Sequence, residues 1–232
     1  MSSPASTSAA DWIAEAGAVF AKDWRCELRT RYALNTLALF AFTTLVVVSV
    51  SLGPLGVSVA QGTAVLPVLL WIILLFAATA GLPRSFVQEE ETHTATALRL
   101  AALPSAVFCG KMIYGVVLVT ALEILITPLY VAMMGLQVKT PLLLIATLLA
   151  GGYGLAAGST LVAAIISQAR GKGTLFAVLA FPVLLPLLLM AVELTRDAVA
   201  GAPGSVVMTQ LLLYDGIVTI AGFMLFPVVW NP

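Results

Sequence analysis

The sequence predicts an all-α integral membrane protein with an N-terminal interfacial amphipathic helix and six transmembrane helices. Hydrophobic residues make up 61% of the 232 residues, charged residues make up only 9%, and the mean hydropathy is +1.07. Soluble domains of this size do not have such a composition. Repeated apolar stretches of about 20 residues match the length that a helix needs to cross a bilayer. Helices are expected because backbone polar groups in lipid must be hydrogen-bonded within their own segment.

The segment of residues 10–31 is predicted to form the interfacial helix. On a helical wheel its large apolar side chains share one broad arc and its basic side chains lie opposite: Trp12, Ile13, Phe20, Trp24 and Leu28 against Lys22, Arg25 and Arg29. This pattern is typical of a helix with its apolar face in the acyl boundary and its basic face toward the cytoplasm. Asp23 and Glu27 interrupt the apolar arc. The polar N-terminus lacks the features of a cleavable signal peptide, so insertion is expected to depend on the internal spans.

Six apolar segments are predicted to span the membrane. They are approximately Tyr32–Leu52, Ala64–Leu82, Val107–Met134, Pro141–Ile166, Thr174–Leu194 and Val206–Trp230. Of the 11 Lys and Arg residues, only Lys139 and Arg196 fall on one side of this arrangement. The positive-inside rule makes the other side cytoplasmic and places both termini in the cytoplasm.

A long polar insertion, Arg84–Pro104, separates spans 2 and 3. Ser85 and Gln88 fit a capping box, and three glutamates follow at positions 89–91, where negative charge suits the start of a helix. Ala95–Leu103 favours a second short helix, with its leucines apolar and Arg99 exposed. The insertion is therefore predicted to form a short helix, a turn at Thr92-His93 and a second helix on the cytoplasmic face. A docking element for a partner is the favoured interpretation, and a solvated acidic loop is the alternative.

Several residues inside the predicted spans are unusual for a lipid-facing helix. Glu123 and Asp215 are carboxyl groups inside the membrane, where burial of a charge costs free energy. Each is expected to have either a functional role or a structural role as a protonated or hydrogen-bonded group. Small residues recur every four positions in span 4, as a seam for packing within the subunit or between two copies. Prolines are expected to kink spans 3 and 5, beside a substrate path or as static bends. The small residues are Ala146, Ala150, Gly154 and Gly158, and the prolines are Pro128, Pro182 and Pro186.

Catalytic and nucleotide motifs are not found. Gly171–Thr174 is only part of a phosphate loop, since Ile166 stands where the first glycine is required. The single histidine, His93, cannot build a metal site or an acid–base site with the available carboxylates. The sequence therefore predicts no catalytic residue, no metal site and no nucleic-acid partner, and any ATP must be bound by a separate subunit.

The order and spacing of these features resemble the permease subunits of ABC-2 type exporters. The chain is most similar to the CcmB family, the haem-exporter permeases of cytochrome c maturation. The resemblance rests on SLGPLG after span 1, the F-x-x-E-E pattern at Phe86–Glu90, Gly110-Lys111, the basic turn of residues 170–173 and the paired prolines of LAFPVLLPLLLMA. It covers nearly the whole chain. Relatives usually have a glycine where this chain has Thr92-His93, and their coupling helix is richer in leucine and acidic residues.

The resemblance implies that residues 1–232 form a single permease domain with a cytoplasmic coupling segment, residues 84–104, whose coupling helix lies between helices 2 and 3. An ATPase subunit, CcmA, would dock there and bind ATP. The implied coupling residues are Arg84, Phe86, Glu89, Glu90, Glu91, Arg99 and Leu103. A second copy of the chain, CcmC, CcmD and the haem chaperone CcmE would be further partners, in the bacterial inner membrane.

The implied output is haem export or release of the haem-loaded chaperone, with haem as a possible substrate and no cofactor bound directly by this chain. Paired histidines and a tryptophan-rich outer motif are missing, so we expect no haem ligation. An ABC-2 permease for another lipid, drug or polysaccharide is the alternative of the same class. A membrane-embedded enzyme lacks its catalytic residues here, and a scaffold without a transport path is the remaining alternative.

Overall fold

The computed structural model describes residues 9–56, 59–83, 85–86, 89, 94–167 and 172–230. Across these residues the chain forms eight helices: α1 (Ala9–Thr30), α2 (Tyr32–Gly56), α3 (Val59–Gly81), α4 (Ala95–Ala101), α5 (Pro104–Met134), α6 (Pro141–Ser167), α7 (Lys172–Ala200) and α8 (Ser205–Trp230). Six of them, α2, α3 and α5 to α8, are long and apolar enough to cross a membrane. The all-α membrane class and the six spans are thus confirmed.

The fifth span extends past its predicted end. The sequence predicted Thr174–Leu194, whereas helix α7 continues to Ala200. The helix continues through the charged residues near its end. The helix ends at Gly201, whose left-handed φ of 83° lets its N–H bond back to the carbonyl of Asp197 at 2.8 Å.

The central helix of the bundle is α6, which packs against α3, α5, α7 and α8. Its glycines let large side chains of its neighbours come close: Trp71 of α3 lies over Gly151, and Leu184 of α7 lies against Gly158. A β-carbon on Gly158 would lie 2.6 Å from Leu184. Trp71 is fully buried, and its indole N–H donates to the Thr195 hydroxyl of α7 at 2.8 Å. Small residues on α6 therefore set the close approach of helices within the chain.

The helix ends collect at two opposite ends of the bundle. One, the basic end, contains α1, α4, the start of α5 and the end of α8, joined by a hydrogen bond from the Trp12 indole to the Ser105 hydroxyl at 2.9 Å. At the opposite end, Lys139 donates to the carbonyl of Ala200 at 3.3 Å, and Arg196 donates to that of Ala64 at 3.0 Å. The assignment of the basic end to the cytoplasm stays a prediction of the positive-inside rule.

Prolines lie inside the membrane helices without ending them. Pro128 is inside α5, Pro182 and Pro186 are inside α7, and both helices continue past these positions. Each proline removes one backbone hydrogen bond from its helix. Their proposed contribution to a substrate path stays a prediction.

Candidate functional site at the basic end

A buried lysine is the centre of the basic end. Lys111, in the third turn of α5, has a side chain that is 0% exposed. Its ammonium donates to Asp23 Oδ2 at 3.2 Å and to the Ser85 carbonyl at 3.2 Å, and it lies 3.0 Å from Glu89 Oε1. The Phe86 ring centroid is 4.5 Å from the same nitrogen. The ammonium thus has three oxygen acceptors and an aromatic face, which together replace the water that burial removes.

A second lysine joins the same two carboxylates from the surface. Lys22 lies 3.1 Å from Asp23 Oδ1 and also binds Glu89 Oε1. Burial lowers the pKa of Lys22, but the charges of Asp23 and Glu89 raise it by more, so the pKa lies above its ordinary value. Two cations and two anions therefore form a balanced cluster, which we call the Lys111 cluster. It consists of Lys22, Asp23, Glu89 and Lys111.

Glu27 makes a second polar contact between α1 and the membrane helices. Its Oε2 accepts a hydrogen bond from the Tyr114 hydroxyl of α5 at 3.2 Å, and its Oε1 accepts one from the N–H of Leu34 at 2.8 Å. Leu34 is the third residue of α2, so Glu27 satisfies one of the N–H groups that the start of a helix leaves without a partner. One carboxylate thus ties α1 to both α2 and α5.

These contacts show which face of α1 packs against the rest of the chain. The sequence predicted its broad apolar face in the acyl boundary, with Asp23 and Glu27 as interruptions, and that placement in the membrane stays a prediction. In the structure the buried face of α1 is Ala16, Val19, Asp23 and Glu27, and it packs against α5, while Ile13 on the predicted apolar face is 64% exposed. Gly110 of α5 permits the contact, since a β-carbon there would lie 2.6 Å from the Ala16 carbonyl oxygen. The two carboxylates are spaced four residues apart because they bind α5 from one face of α1.

The insertion between spans 2 and 3 contributes the other half of the cluster. Phe86 is buried and packs on Phe226 of α8 with ring centroids 6.3 Å apart, and Glu89 is buried in the cluster. Glu89 is thus held inside this chain and is not displayed on its surface. Arg84, Glu90 and Glu91, together with the predicted turn at Thr92-His93, lie outside the described residues.

The short helix α4 presents a different surface from the predicted one. The sequence predicted Arg99 to be exposed, but it is half-buried, with its guanidinium 5.1 Å from the centroid of the Trp230 ring. Stacking on an aromatic face stabilises a guanidinium enough to draw it inward. Leu100, in contrast, is 87% exposed. Leu103 is partly exposed, and its N–H donates to Glu15 Oε2 at 2.9 Å. The sequence analysis treated Leu100 only as one of the apolar leucines of this helix and did not predict its large exposure.

The two intramembrane carboxylates lie away from the basic end. Glu123 and Asp215 are each only 3% exposed and approach α6 at Gly152 and Gly154 respectively. No oxygen of either carboxylate has a hydrogen-bond partner within the described part of the chain. Ala150, in the same helix, is half-buried beside an open groove. The structure thus brings the carboxylates to the central glycines of α6 but does not join them to the Lys111 cluster.

In residues 9–56, 59–83, 85–86, 89, 94–167 and 172–230, no group of three or more histidine, cysteine or acidic side chains could hold a metal ion. The described site consists of ion pairs and packing contacts between helices.

Comparison with known proteins gives one family. The family model described as CcmB protein matches residues 14–228, which is nearly the whole chain. The match includes the Lys111 cluster, five of the six apolar helices and the sixth as far as Val228. No curated protein matches the chain.

Proposed function

The chain belongs to the CcmB family, and we propose that it acts in cytochrome c maturation by coupling ATP hydrolysis in a partner ATPase to work on haem or on a haem carrier. Members of this family are permease components of the haem exporter of cytochrome c maturation. The six apolar helices agree with a multi-pass membrane protein, and we assign it to the bacterial inner membrane.

The Lys111 cluster is the observation that supports the coupling proposal. Residues 84–104 supply Glu89 to the cluster, α1 supplies Lys22 and Asp23, and α5 supplies Lys111. Buried hydrogen bonds between charged groups are strong and directional, because the low surrounding dielectric weakens them little. A displacement of the insertion would therefore move α5 and α1 with it. Without such a connection, a docked ATPase could move only a surface loop.

Leu100 is the proposed contact point for the ATPase. An exposed leucine on a short helix at the basic end has no membrane to cover it if that end projects into the cytoplasm. Burial of one such side chain by a partner contributes about 1.5–3 kcal/mol. Arg84, Glu90 and Glu91 would extend the contact in our proposal. CcmA is the proposed ATPase, and it would bind ATP.

The output that we propose is export of haem or release of the haem-loaded chaperone CcmE from a complex with CcmC and CcmD. A second copy of this chain would complete the permease. We propose that the chain binds no cofactor directly and does not ligate haem iron. A histidine-ligated haem absorption band in the purified subunit would contradict the last statement.

Co-purification tests the docking proposal. The tagged chain is co-expressed with the ATPase and the other cytochrome c maturation subunits, and the ATPase recovered per copy of the chain is measured by mass spectrometry. Leu100→Asp is expected to lower this ratio at least tenfold, and Leu142→Asp serves as the control because Leu142 is 79% exposed at the opposite end. Equal recovery with Leu100→Asp and Leu142→Asp would refute docking at α4.

A permease for another lipid, drug or polysaccharide would dock an ATPase in the same way. The content of c-type cytochromes in the same cells separates the two functions. Cytochrome c maturation predicts that Leu100→Asp lowers haem-stained c-type cytochromes together with the bound ATPase. A normal cytochrome content after loss of the ATPase would favour the other permease class.

A further inference from the structure

Three arginines lie close together in the chain where α1 turns into α2, and all three side chains are exposed. Arg25 and Arg29 are one turn apart on α1, and Arg31 is the residue between the two helices. None of these side chains forms an ion pair or a hydrogen bond within the described part of the chain. We call Arg25, Arg29 and Arg31 the arginine patch.

The acidic residues that alternate with the arginine patch in the sequence are turned away from it. Residues 22–31 contain four cations and two anions, so the segment alone would be partly neutralised. In the structure Asp23 is buried against Lys111 at 3.2 Å, and Glu27 is buried against the Tyr114 hydroxyl at 3.2 Å. Both anions are thus engaged by α5. The exposed face of this part of α1 therefore carries cations only.

Arg25 and Arg29 also repel each other. Side chains four residues apart are neighbours on a helix, and like charges at this spacing destabilise it. The other residues of α1 that lie three or four positions from either arginine are not acidic: Ala21, Lys22, Cys26 and Leu28. An anion between the two guanidinium groups would remove the repulsion. Phosphate is well suited to this position, because its oxygens match the forked N–H donors of arginine.

Arg31 has a backbone conformation that favours glycine. Its φ of 52° is the only positive φ of a non-glycine residue in the described part of the chain. The N–H of Arg31 donates to the carbonyl of Glu27 at 2.5 Å and closes the end of α1, a position where helices commonly have glycine. A side chain costs free energy in this conformation. The strain is tolerated at a position where the side chain adds a third exposed cation, and strained residues of this kind are frequent at binding sites.

Apolar side chains surround the arginine patch. Leu28, three residues after Arg25 on α1, is 50% exposed. Directly after Arg31 begins α2, an apolar span whose outer side continues with the exposed Leu39 and Phe40. A free phosphate ion would leave these apolar groups uncovered. A phospholipid covers them with its acyl chains while its phosphate lies at the arginines.

We propose that the arginine patch binds the headgroup of an anionic phospholipid, in the leaflet at the basic end, with the acyl chains along Leu28 and the start of α2. Basic residues beside a membrane span attract acidic lipids. The bound lipid would hold α1, which supplies Lys22 and Asp23 to the Lys111 cluster. The short helix α4 contacts α1 near its other end, at Glu15. The inference therefore holds whether or not the ATPase docks at Leu100.

Native mass spectrometry of the full chain in a mild detergent counts the bound lipids. The chain is titrated with phosphatidylglycerol, which is anionic, or with phosphatidylcholine of the same acyl chains, which is zwitterionic. Phosphatidylglycerol is expected to bind at least about tenfold more tightly. Glycerol 3-phosphate, which has the phosphate without acyl chains, is expected not to compete at the same concentration. Equal affinity for the two lipids, or full competition by glycerol 3-phosphate, would overturn the proposal without the need for any variant.

Arg31→Gly separates lipid binding from folding. The change removes one cation together with the strain of the turn, so the Tm should stay the same or rise. The affinity for phosphatidylglycerol should nevertheless fall about fivefold, the contribution of one basic residue near a membrane surface. Lys139→Gln is the control, because Lys139 is exposed at the opposite end and should leave the affinity unchanged. An undiminished affinity in Arg31→Gly protein, or an equal loss in Lys139→Gln protein, would overturn the proposal.

The same titration of the chain purified with its partner subunits tests whether a protein covers the arginine patch instead. The preference for phosphatidylglycerol is expected to persist in this complex. Its loss there would show that a partner subunit occupies the arginines, and would overturn the assignment to lipid.

Discussion

Replacing Lys111 with methionine should strongly destabilise the basic end. Methionine has nearly the length of lysine, so the change removes the charge and its hydrogen bonds while most of the packing volume stays. The ammonium that is lost binds two carboxylates and one carbonyl, at 3.0–3.2 Å, from a position with no solvent exposure. Asp23 and Glu89, each only 5–8% exposed, would then have to share Lys22.

The expected magnitude follows from the loss of one partner in a buried ion pair. Such a change costs roughly 3–5 kcal/mol, because the remaining charge stays buried without compensation. The lower end, about 3 kcal/mol, is expected here because Lys22 still contacts both carboxylates. For a chain of this size, 1 kcal/mol corresponds to about 2–4 °C in Tm. Lys111→Met should therefore lower the Tm by about 6–12 °C.

Thermal unfolding of the purified chain in a mild detergent, followed by tryptophan fluorescence, measures this shift. Lys139→Met is the matched control, since Lys139 is an exposed lysine at the opposite end and should change the Tm by less than about 2 °C. Asp23→Asn should cost less in the Lys111→Met chain than in the native chain, because the two residues share one interaction. Equal Tm values for Lys111→Met and Lys139→Met, or fully additive effects with Asp23→Asn, would refute the reasoning.

Further predictions concern α6, α1 and pH. Gly152→Ala should lower the Tm by several degrees, since its new β-carbon would lie 2.6 Å from Glu123 Oε1. Gly17→Ala is the control, because a β-carbon there has no neighbour within 4 Å. This change should raise the Tm, since glycine destabilises a helix interior relative to alanine. A higher or unchanged Tm for Gly152→Ala would contradict that close contact. The folded pKa of Lys22 lies above its unfolded value of about 10.5, so its stabilisation is complete below that pH and is lost as pH rises through the folded pKa. The Tm difference between the native chain and Lys22→Met should thus be constant around neutral pH and shrink in strongly alkaline buffer; a difference that shrinks on acidification to pH 6 would contradict this assignment.

The membrane helices were predictable because hydrocarbon thickness alone sets their length. Every span was found near its predicted bounds. Only the end of α7 could not be predicted from composition, because it is set by the left-handed turn at Gly201. Two glycines of the recurring small residues on α6, Gly154 and Gly158, lie where side chains of neighbouring helices come close. The recurrence could not indicate which side chains approach, and Glu123 meets Gly152, a glycine outside the four-residue ladder.

The Lys111 cluster was not predictable, because its members are far apart in the sequence and each has an ordinary explanation alone. Asp23 and Glu27 were interpreted as interruptions of an amphipathic helix. A helical wheel shows which residues share a face, but it does not show whether that face packs against another helix of the chain. Their partners lie 87–88 residues further along the chain, at Tyr114 and Lys111. Arg99 was similarly expected in solvent, where most arginines lie. In the structure its guanidinium packs on the aromatic ring of Trp230.

The ratio of ATP hydrolysed to c-type cytochrome formed tests the coupling proposal most directly. The measurement compares Glu89→Gln with the native chain in membranes that contain the complete set of partner subunits. Our account predicts that the ATPase stays bound at α4 and hydrolyses ATP, while cytochrome formation falls, so the ratio rises severalfold. A ratio equal to that of the native chain, at an equal amount of bound ATPase, would contradict the claim that the Lys111 cluster passes movement from the insertion to α5.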